Sequence, residues 1–447
     1  MRGVRGWSFF AVVLLASCAR EVADTQIETE EDRRIFAGAE ERIEKYRKGD
    51  MTLELVDAEG RALEAGVKVV IEQVRHEFLF GSTIFALGEW ETAEENQRYE
   101  ELFSGLLNYA TLPFYWWRYE VERGAPRYEQ TEEYVRWCKA NNITCKGHPL
   151  ASNGTDSDWF TDQTPIVDLQ VAAVADRVRR FKGDIHIWDV VNEMAGYDIP
   201  RQWKAAPRFT AAIEEIGVGE FVRRCFAAAR EADPEATLII NDYILDARYE
   251  DVIEALIDED GEAMFDAIGM QSHQHGRAYS AAKTWEMCQR FSRFGKPLHF
   301  TETTFVSGKL AWPPDMAGKE WPSTPEGEKR QAEYAARFYT LVFSHPQVEA
   351  ITWWAFSAGR HNARALLNPD ATGKPAYYEL KRLIKEKWWT KTEATVGEGG
   401  KVQFRGFFGD YKVVATVGGE KLSGTFKLGK KEVRSATVRL ERRVYAD

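Results

Sequence analysis

Two glutamates stand where a carboxyl pair could work. Glu193 ends the apolar run Ile185 to Val191 and its polar neighbour Asn192, and Glu302 follows the run Leu298 to Thr301. Cleavage of an acetal passes through a cation-like transition state. It calls for one carboxyl to protonate the departing oxygen and a second to attack or stabilise the carbon left behind. Asn192 is a neutral amide that can donate to a hydroxyl next to that carbon. Gln271 and His273 alternate along another apolar run, so their side chains fall on one face. From there His273 can hydrogen-bond Glu302 and keep it ionised, whereas Glu193 needs a raised pKa to carry its proton. That asymmetry assigns Glu193 as acid/base and Glu302 as nucleophile.

The elements that must position these groups read as repeated βα units. Between about Glu77 and Trp389, short apolar runs alternate with helix-like stretches rich in Glu, Arg and Ala. Eight strands are expected: Phe78 to Gly81, Tyr109 to Leu112, Thr144 to Gly147, Ile185 to Val191, Thr237 to Asn241, Ala267 to Gln271, Leu298 to Thr301 and Ala350 to Trp354. Eight such units predict an α/β fold, a (β/α)8 barrel over 77–389, whose active face is built at the C-terminal strand ends. The polar groups Gly147-His148, Asn192-Glu193, Asn241-Asp242-Tyr243, Gln271-Ser272-His273, Glu302 and Trp354 all follow strands directly.

Both flanks change pattern. Residues 1–18 carry Arg2 and Arg5 before the apolar run Phe9 to Leu15, ending Leu15-Ala16-Ser17-Cys18. This resembles a bacterial lipoprotein signal, which implies lipidation of Cys18, export, and a membrane tether in the periplasm or at the cell surface. Residues 19–34 are acidic and read as a tether. Residues 35–76 read as a short helix, Ile35 to Lys48, followed by a β-hairpin from Met51 to Gln73 with its turn at Asp57-Ala58-Glu59-Gly60. The last stretch, 390–447, is a small β segment with alternation in Tyr411 to Val417 and Ala436 to Leu440. A barrel starts with a strand and ends with a helix, so both flanks leave from the face opposite the active site. The two β segments can therefore pair into one accessory sandwich, with a structural role favoured over sugar binding.

Composition narrows the chemistry. With 447 residues and 44% apolar side chains, the chain can bury a large core. Acidic residues outnumber basic ones by 70 to 59, for a formal charge of -11, which disfavours nucleic acid as a partner. Cys138, Cys145, Cys225 and Cys288 lie in scattered apolar contexts and read as core residues. No zinc spacing is present, and His273 with His275 lacks a third ligand nearby in sequence, so no metal or cofactor is expected. Trp312 and Trp321, in a Pro-rich loop, are candidate sugar platforms, while Trp388 and Trp389 read as packing.

Taken together, the motifs resemble the family 10 glycoside hydrolases, the endo-1,4-β-xylanase family. Trp188-Asp189-Val190-Val191-Asn192-Glu193 is similar to the acid/base motif and Thr301-Glu302 to the nucleophile motif. Gly147-His148-Pro149-Leu150, Ile240-Asn241-Asp242-Tyr243, Gly269-Met270-Gln271-Ser272-His273 and Ile351-Thr352-Trp353-Trp354 follow in the family's order. The resemblance implies a retaining, endo-acting hydrolase of β-1,4-linked xylose chains, a polysaccharide substrate, and His148, Gln271, Tyr243, Trp354 and, at a divergent position, Tyr115 as substrate-binding residues. Two stretches depart. Where the family has Glu-Asn-Glu-Met-Lys-Trp, this chain reads Thr111-Leu112-Pro113-Phe114-Tyr115-Trp116, so that Tyr115 replaces the sugar-binding Lys. Ser152 takes the place of a Trp that walls the cleavage subsite. Both changes bear on which sugar is preferred. Two other readings stay open: another β-glycanase or exo-glycosidase on the same barrel, and a lipid-anchored glycan-binding protein without catalysis.

Overall fold

The computed structural model describes residues 28–152, 156–311, 319–431 and 434–442. The expected lipidation site Cys18 and the candidate platform Trp312 lie outside the described residues.

Eight parallel strands close a barrel: Leu79–Thr83, Tyr109–Pro113, Thr144–His148, Ile187–Asn192, Thr237–Asp242, Ala267–Gln274, Leu298–Phe305 and Val348–Trp353. Closure runs through the third and fourth strands, where Lys146 pairs with Ile187 and Gly147 with Trp188. Between and after the strands lie the helices Ala93–Leu106, Tyr128–Ala140, Ile166–Arg180, Val218–Ala232, Ala247–Glu254, Ala281–Ser292, Pro325–Ser344 and Pro375–Arg382. Parallel strands covered on both faces are buried throughout, which is why they read as continuous apolar runs rather than alternation. The fourth and seventh strands have no exposed residue at all. The sixth and seventh strands outrun their expected ends and carry His273 and Glu302 within the sheet rather than just beyond it.

Close packing at the third strand depends on Gly147, where an added Cβ would lie 2.1 Å from the buried Trp188 ring. Cys138, Cys145, Cys225 and Cys288 are buried and unbridged. Trp388 is buried, stacked 4.5 Å from Phe343, and Trp389 meets His76 edge-on at 5.2 Å, so the double Trp packs the base of the barrel.

The two ends of the chain build one two-sheet body. Strand Lys48–Val56 lies between Lys401–Phe407, antiparallel, and Ser435–Arg439, parallel. Strand Lys68–His76 lies between Lys391–Thr395 and Gly409–Val417, and the latter continues to Glu420–Leu428. Met51, Leu53, Leu55, Val69, Ile71, Tyr411 and Val413 share the core between the sheets. The expected hairpin is thereby corrected. Its turn forms, held by Asp57 Oδ1 accepting from Glu59 and Arg61 N–H, and only the single bridge Val56 to Ala62 extends it. The two strands then part into different sheets, because each buries one face in the shared core and takes partners from the C-terminal segment.

The single helix is corrected as well, and so is the described end of the expected tether, from residue 28 on. A helix spans Glu30–Ala37, started by Thr29 and Asp32 in a reciprocal capping box, and a second spans Ala39–Arg47 after Gly38. Asp32 also accepts from Ala282 N–H at 2.8 Å, so the end of the acidic stretch is docked on the barrel. Arg47 fastens this N-terminal unit underneath. Its buried guanidinium donates to the carbonyls of Phe343, His345 and Val348, and burial pushes its pKa down to about 9.

Candidate active site

The strand ends bring Asn192, Glu193, Asn241, Gln271, His273 and Glu302 into one hydrogen-bonded group. Asn192 Oδ1 accepts from Asn241 Nδ2 at 2.8 Å and from Gln271 Nε2 at 3.1 Å. Both contacts fall on the amide oxygen, which leaves the amide nitrogen as a donor for another acceptor. Asn241 Nδ2 also donates to Glu302 Oε1 at 3.1 Å, and Gln271 Nε2 reaches Glu193 Oε1 at 3.3 Å. One amide network therefore touches both carboxylates. Gly269 makes room for it, since a Cβ there would sit 2.6 Å from Asn241 Oδ1. Thr301 Oγ1 fixes that same oxygen at 2.5 Å.

Each carboxylate has a distinct setting. Glu302 is 4% exposed, with His273 Nε2 at 3.1 Å from Oε2 and His148 Nε2 at 3.7 Å from Oε1. Burial pushes its pKa up, but the His273 hydrogen bond and the positive surroundings of His148, His273 and Lys146 bring it below the ordinary value. Because the carboxylate only accepts, His273 Nε2 donates; Nδ1 faces Thr304 Oγ1 at 3.0 Å, which fixes the ring. Glu193 is held in the left-handed region (φ 64°, ψ 33°), unusual for a residue other than glycine. Its N–H donates to Asn241 O at 2.9 Å, and Ala195 N–H donates to Asp242 Oδ2 at 2.8 Å, so the fifth strand clamps this turn. Burial, and next the negative charge of Glu302, raise the Glu193 pKa against the lowering effect of Gln271, Arg201 and His273. The Asp242 carboxyl is itself pushed up to about 7 by burial.

His148 is wholly buried and lies 2.6 Å through Nδ1 from Asp189 Oδ2, which also accepts from Lys146 Nζ at 2.7 Å. Burial alone would raise the Asp189 pKa, but the Lys146 charge and the His148 hydrogen bond lower it. Tyr115, in the place where the family pattern has Lys, puts its hydroxyl 3.0 Å from His148 Nε2. Trp354 stands just past the eighth strand, edge-on to His148 at 5.1 Å and to His273 at 6.3 Å. The chain turns away at Ala355, φ 79°. Tyr243 lies on the Glu193 side, with the Arg201 guanidinium 5.8 Å over its ring. Tyr115, His148, Asn192, Glu193, Tyr243, Gln271, His273, Glu302 and Trp354 thus gather at one barrel mouth.

Trp321 does not join them. It is 1% exposed, packed with Val306 and Ala363, and its indole N–H donates to Lys309 O at 2.8 Å. As a platform it is corrected, because the ring is buried within the loop and offers no exposed face to a sugar. His273 and His275 stack on each other at 5.2 Å, and among the described residues no three candidate metal ligands converge. A cavity of about 550 Å³ lies beneath the first helix, lined by Asp32, Phe36, Tyr279, Arg330 and Tyr334. None of the carboxylate network lines it, so the chemistry belongs to the mouth.

Lys146, Asp189, Thr301, Thr304 and Arg201 carry no role in the sequence reading, yet they surround the two glutamates. Lys146 precedes the Gly-His motif and Asp189 lies within the Trp-Asp-Val-Val-Asn-Glu motif; a charged residue inside an apolar strand was the available signal.

Residues 75–382 match the model of glycosyl hydrolase family 10, and the chain belongs to that family. Among curated relatives, it is 25% identical to the Anti-sigma-I factor RsgI6 of Acetivibrio thermocellus, over 86% of this chain and 47% of that protein. It is 24% identical to Endo-1,4-beta-xylanase 1 of Arabidopsis thaliana, over 87% of this chain and 39% of that protein. Endo-1,4-beta-xylanase B of Thermotoga neapolitana is 26% identical, over 61% of this chain and 78% of its own length. The chain spans about half the length, or less, of the first two. The fold is shared with the crystal structure of xylanase 10B from Thermotoga petrophila RKU-1 in complex with xylobiose. There the TM-score is 0.55 at 23% identity, covering 70% of this chain and 95% of that one.

Proposed function

We propose that this family member is a retaining, endo-1,4-β-xylanase-like hydrolase acting by double displacement, with Glu193 as acid/base and Glu302 as nucleophile. The observation that carries the reading is the opposed tuning of two carboxylates joined by one amide network: Glu193 raised and Glu302 lowered. A raised carboxyl can deliver a proton to the leaving oxygen while a lowered one stands ionised for attack. In the second half of the cycle Glu193, now deprotonated, activates water against the glycosyl ester on Glu302. Asn192 holds the hydroxyl beside the reacting carbon, and His273 steadies the charge on Glu302.

The substrate follows from the family and from its departures. β-1,4-linked xylan or a related plant polysaccharide is the substrate class. Tyr115 and Ser152 replace groups that hold and wall the sugar on the non-reducing side. In the Tyr115 setting the hydroxyl is engaged with His148, so no free ammonium is offered there. We further propose that Cys18 is lipidated and tethers the enzyme to a membrane outside the cytoplasm, a reading supported by Arg2 and Arg5, the apolar run Phe9 to Leu15 and the ending Leu15-Ala16-Ser17-Cys18.

The test is digestion of a polysaccharide panel with product sizing by wild type and by Glu302→Ala. Internal cleavage of xylan by the wild type and its loss in the variant are expected. Negligible reducing-sugar release by both proteins would instead leave a glycan-binding protein.

A further inference from the structure

Beside Glu193 stands a cation that the reaction as described does not use. Arg201 lies on the short helix Pro200–Ala205 beyond the fourth strand, with its Nη2 3.7 Å from Glu193 Oε2. Its side chain is 58% exposed, against 22% for Glu193. Glu193 is its one carboxylate partner among the described residues. At 3.7 Å the pair is an ion contact rather than a hydrogen bond, so the guanidinium keeps its donor fork for another acceptor. The partners around Glu302 are His148, His273 and Asn241 instead. Arg201 therefore belongs to the acid side of the cleft, where the leaving group departs.

Its position is awkward for a neutral substrate. To serve as the acid, Glu193 must be protonated, and Arg201 then loses its counter-charge. A cation at that distance also favours loss of the proton. The other groups facing Glu193 are Glu302, Asp242, Tyr243, Gln271 and His273; the two carboxyls among them are committed elsewhere, Glu302 to His273 and Asn241, Asp242 to Ala195 and Ile244 N–H. A carboxylate on the substrate would meet both difficulties. It would pair with Arg201 while Glu193 is protonated, and by neutralising the cation it would help Glu193 hold its proton until transfer.

We propose that Arg201 is a specificity-determining residue that binds the carboxylate of an acidic sugar, a uronosyl unit carried on the leaving-group side of the glycan. This rests on the hydrolase reading and on Glu193 as its acid. A planar guanidinium over the Tyr243 ring suits such a group, since it can bind a carboxylate through two parallel N–H donors.

The test compares kcat/KM on unsubstituted xylo-oligosaccharides, on uronosyl-substituted ones and on arabinosyl-substituted ones, for wild type, Arg201→Gln and Arg201→Lys. Loss of a charge-assisted contact at a partly exposed site predicts that the uronosyl-to-unsubstituted ratio falls about tenfold in Arg201→Gln. Part of that loss returns in Arg201→Lys, which keeps the charge without the fork. A ratio within about twofold of wild type in Arg201→Gln overturns the proposal. So does an equal fall for arabinosyl substitution, which would make the effect one of shape. If the wild type hydrolyses none of the three glycans, the hydrolase reading itself fails; hydrolysis with an unmoved ratio refutes the Arg201 role alone.

Discussion

Replacing His273 with Ala removes the N–H donor that meets Glu302 Oε2 at 3.1 Å. The carboxylate is 4% exposed, so little water compensates, and Asn241 Nδ2 at 3.1 Å remains on the other oxygen. A hydrogen bond to a charged group contributes about 1.5–3 kcal/mol. Some solvent entering the vacated space favours the lower end, about 1.5 kcal/mol, which corresponds to roughly one pH unit. The sign is set by the charged form: losing a donor to the carboxylate raises the Glu302 pKa. The acid limb of the kcat/KM profile on soluble xylan therefore moves to higher pH by about one unit, with roughly a tenfold loss on the acid side that shrinks as pH rises. Thr304→Val, which frees the far side of the same ring, moves the limb in the same direction by less. Profiles for the wild type and both variants, measured on one substrate, give the comparison. A uniform loss of activity with an unmoved acid limb would refute the reasoning and make His273 a substrate contact instead.

Two further outcomes follow from the same geometry. Glu193→Ala should lose about 10²-fold or more on xylan, whose leaving hydroxyl needs a proton, and far less in the first step on an aryl glycoside whose leaving group departs without one; equal losses on both substrates, read by burst kinetics, would contradict the acid role. Lys146→Met should destabilise the fold by about 3–5 kcal/mol in denaturant titration, since Lys146 and Asp189 are both fully buried and the carboxylate would lose its ammonium. The folded-state pKa of Asp189 lies below its ordinary value, so its stabilising effect is present above that value and lost as pH falls through the folded one. The variant should show a weaker pH dependence there, and an unchanged unfolding midpoint at neutral pH would count against the pair.

Much of the barrel was legible because each parallel strand is sealed on both faces and reads as an unbroken apolar run. Helical stretches between the runs gave the repeat, and polar residues at the run ends marked the mouth. What local pattern could not show is partnership across the chain. The alternation from Met51 to Gln73 with a turn at Asp57 looks like a hairpin in sequence. Whether the strands stay paired depended on segments more than 300 residues later: Lys401–Phe407 and Gly409–Val417 took the two strands into separate sheets. The same limit hid Lys146 and Asp189, which neutralise each other only because the third and fourth strands close the barrel. Trp321 misled for the converse reason. A loop tryptophan resembles a platform until Val306 and Ala363 are seen against it. Arg201 lies on the short helix Pro200–Ala205 after Glu193, too brief for a periodicity that would direct attention to it. The spacing of Gln271 and His273 put both side chains on one face of their strand, and His273 Nε2 stands 3.1 Å from Glu302 Oε2. The second contact of His273, Thr304, sits two residues past Glu302 on the neighbouring strand and emerged only with the register.

The central claim, a covalent intermediate on Glu302, is open to direct capture. Incubation with a 2-deoxy-2-fluoro-xyloside carrying an activated leaving group slows breakdown of a glycosyl-enzyme ester, which peptide mapping by mass spectrometry can then locate. A single label on Glu302, with wild-type turnover of xylan giving the β-anomer first by proton NMR, is the predicted result. A label on any other residue, or an α-anomeric first product with no label at all, would contradict it.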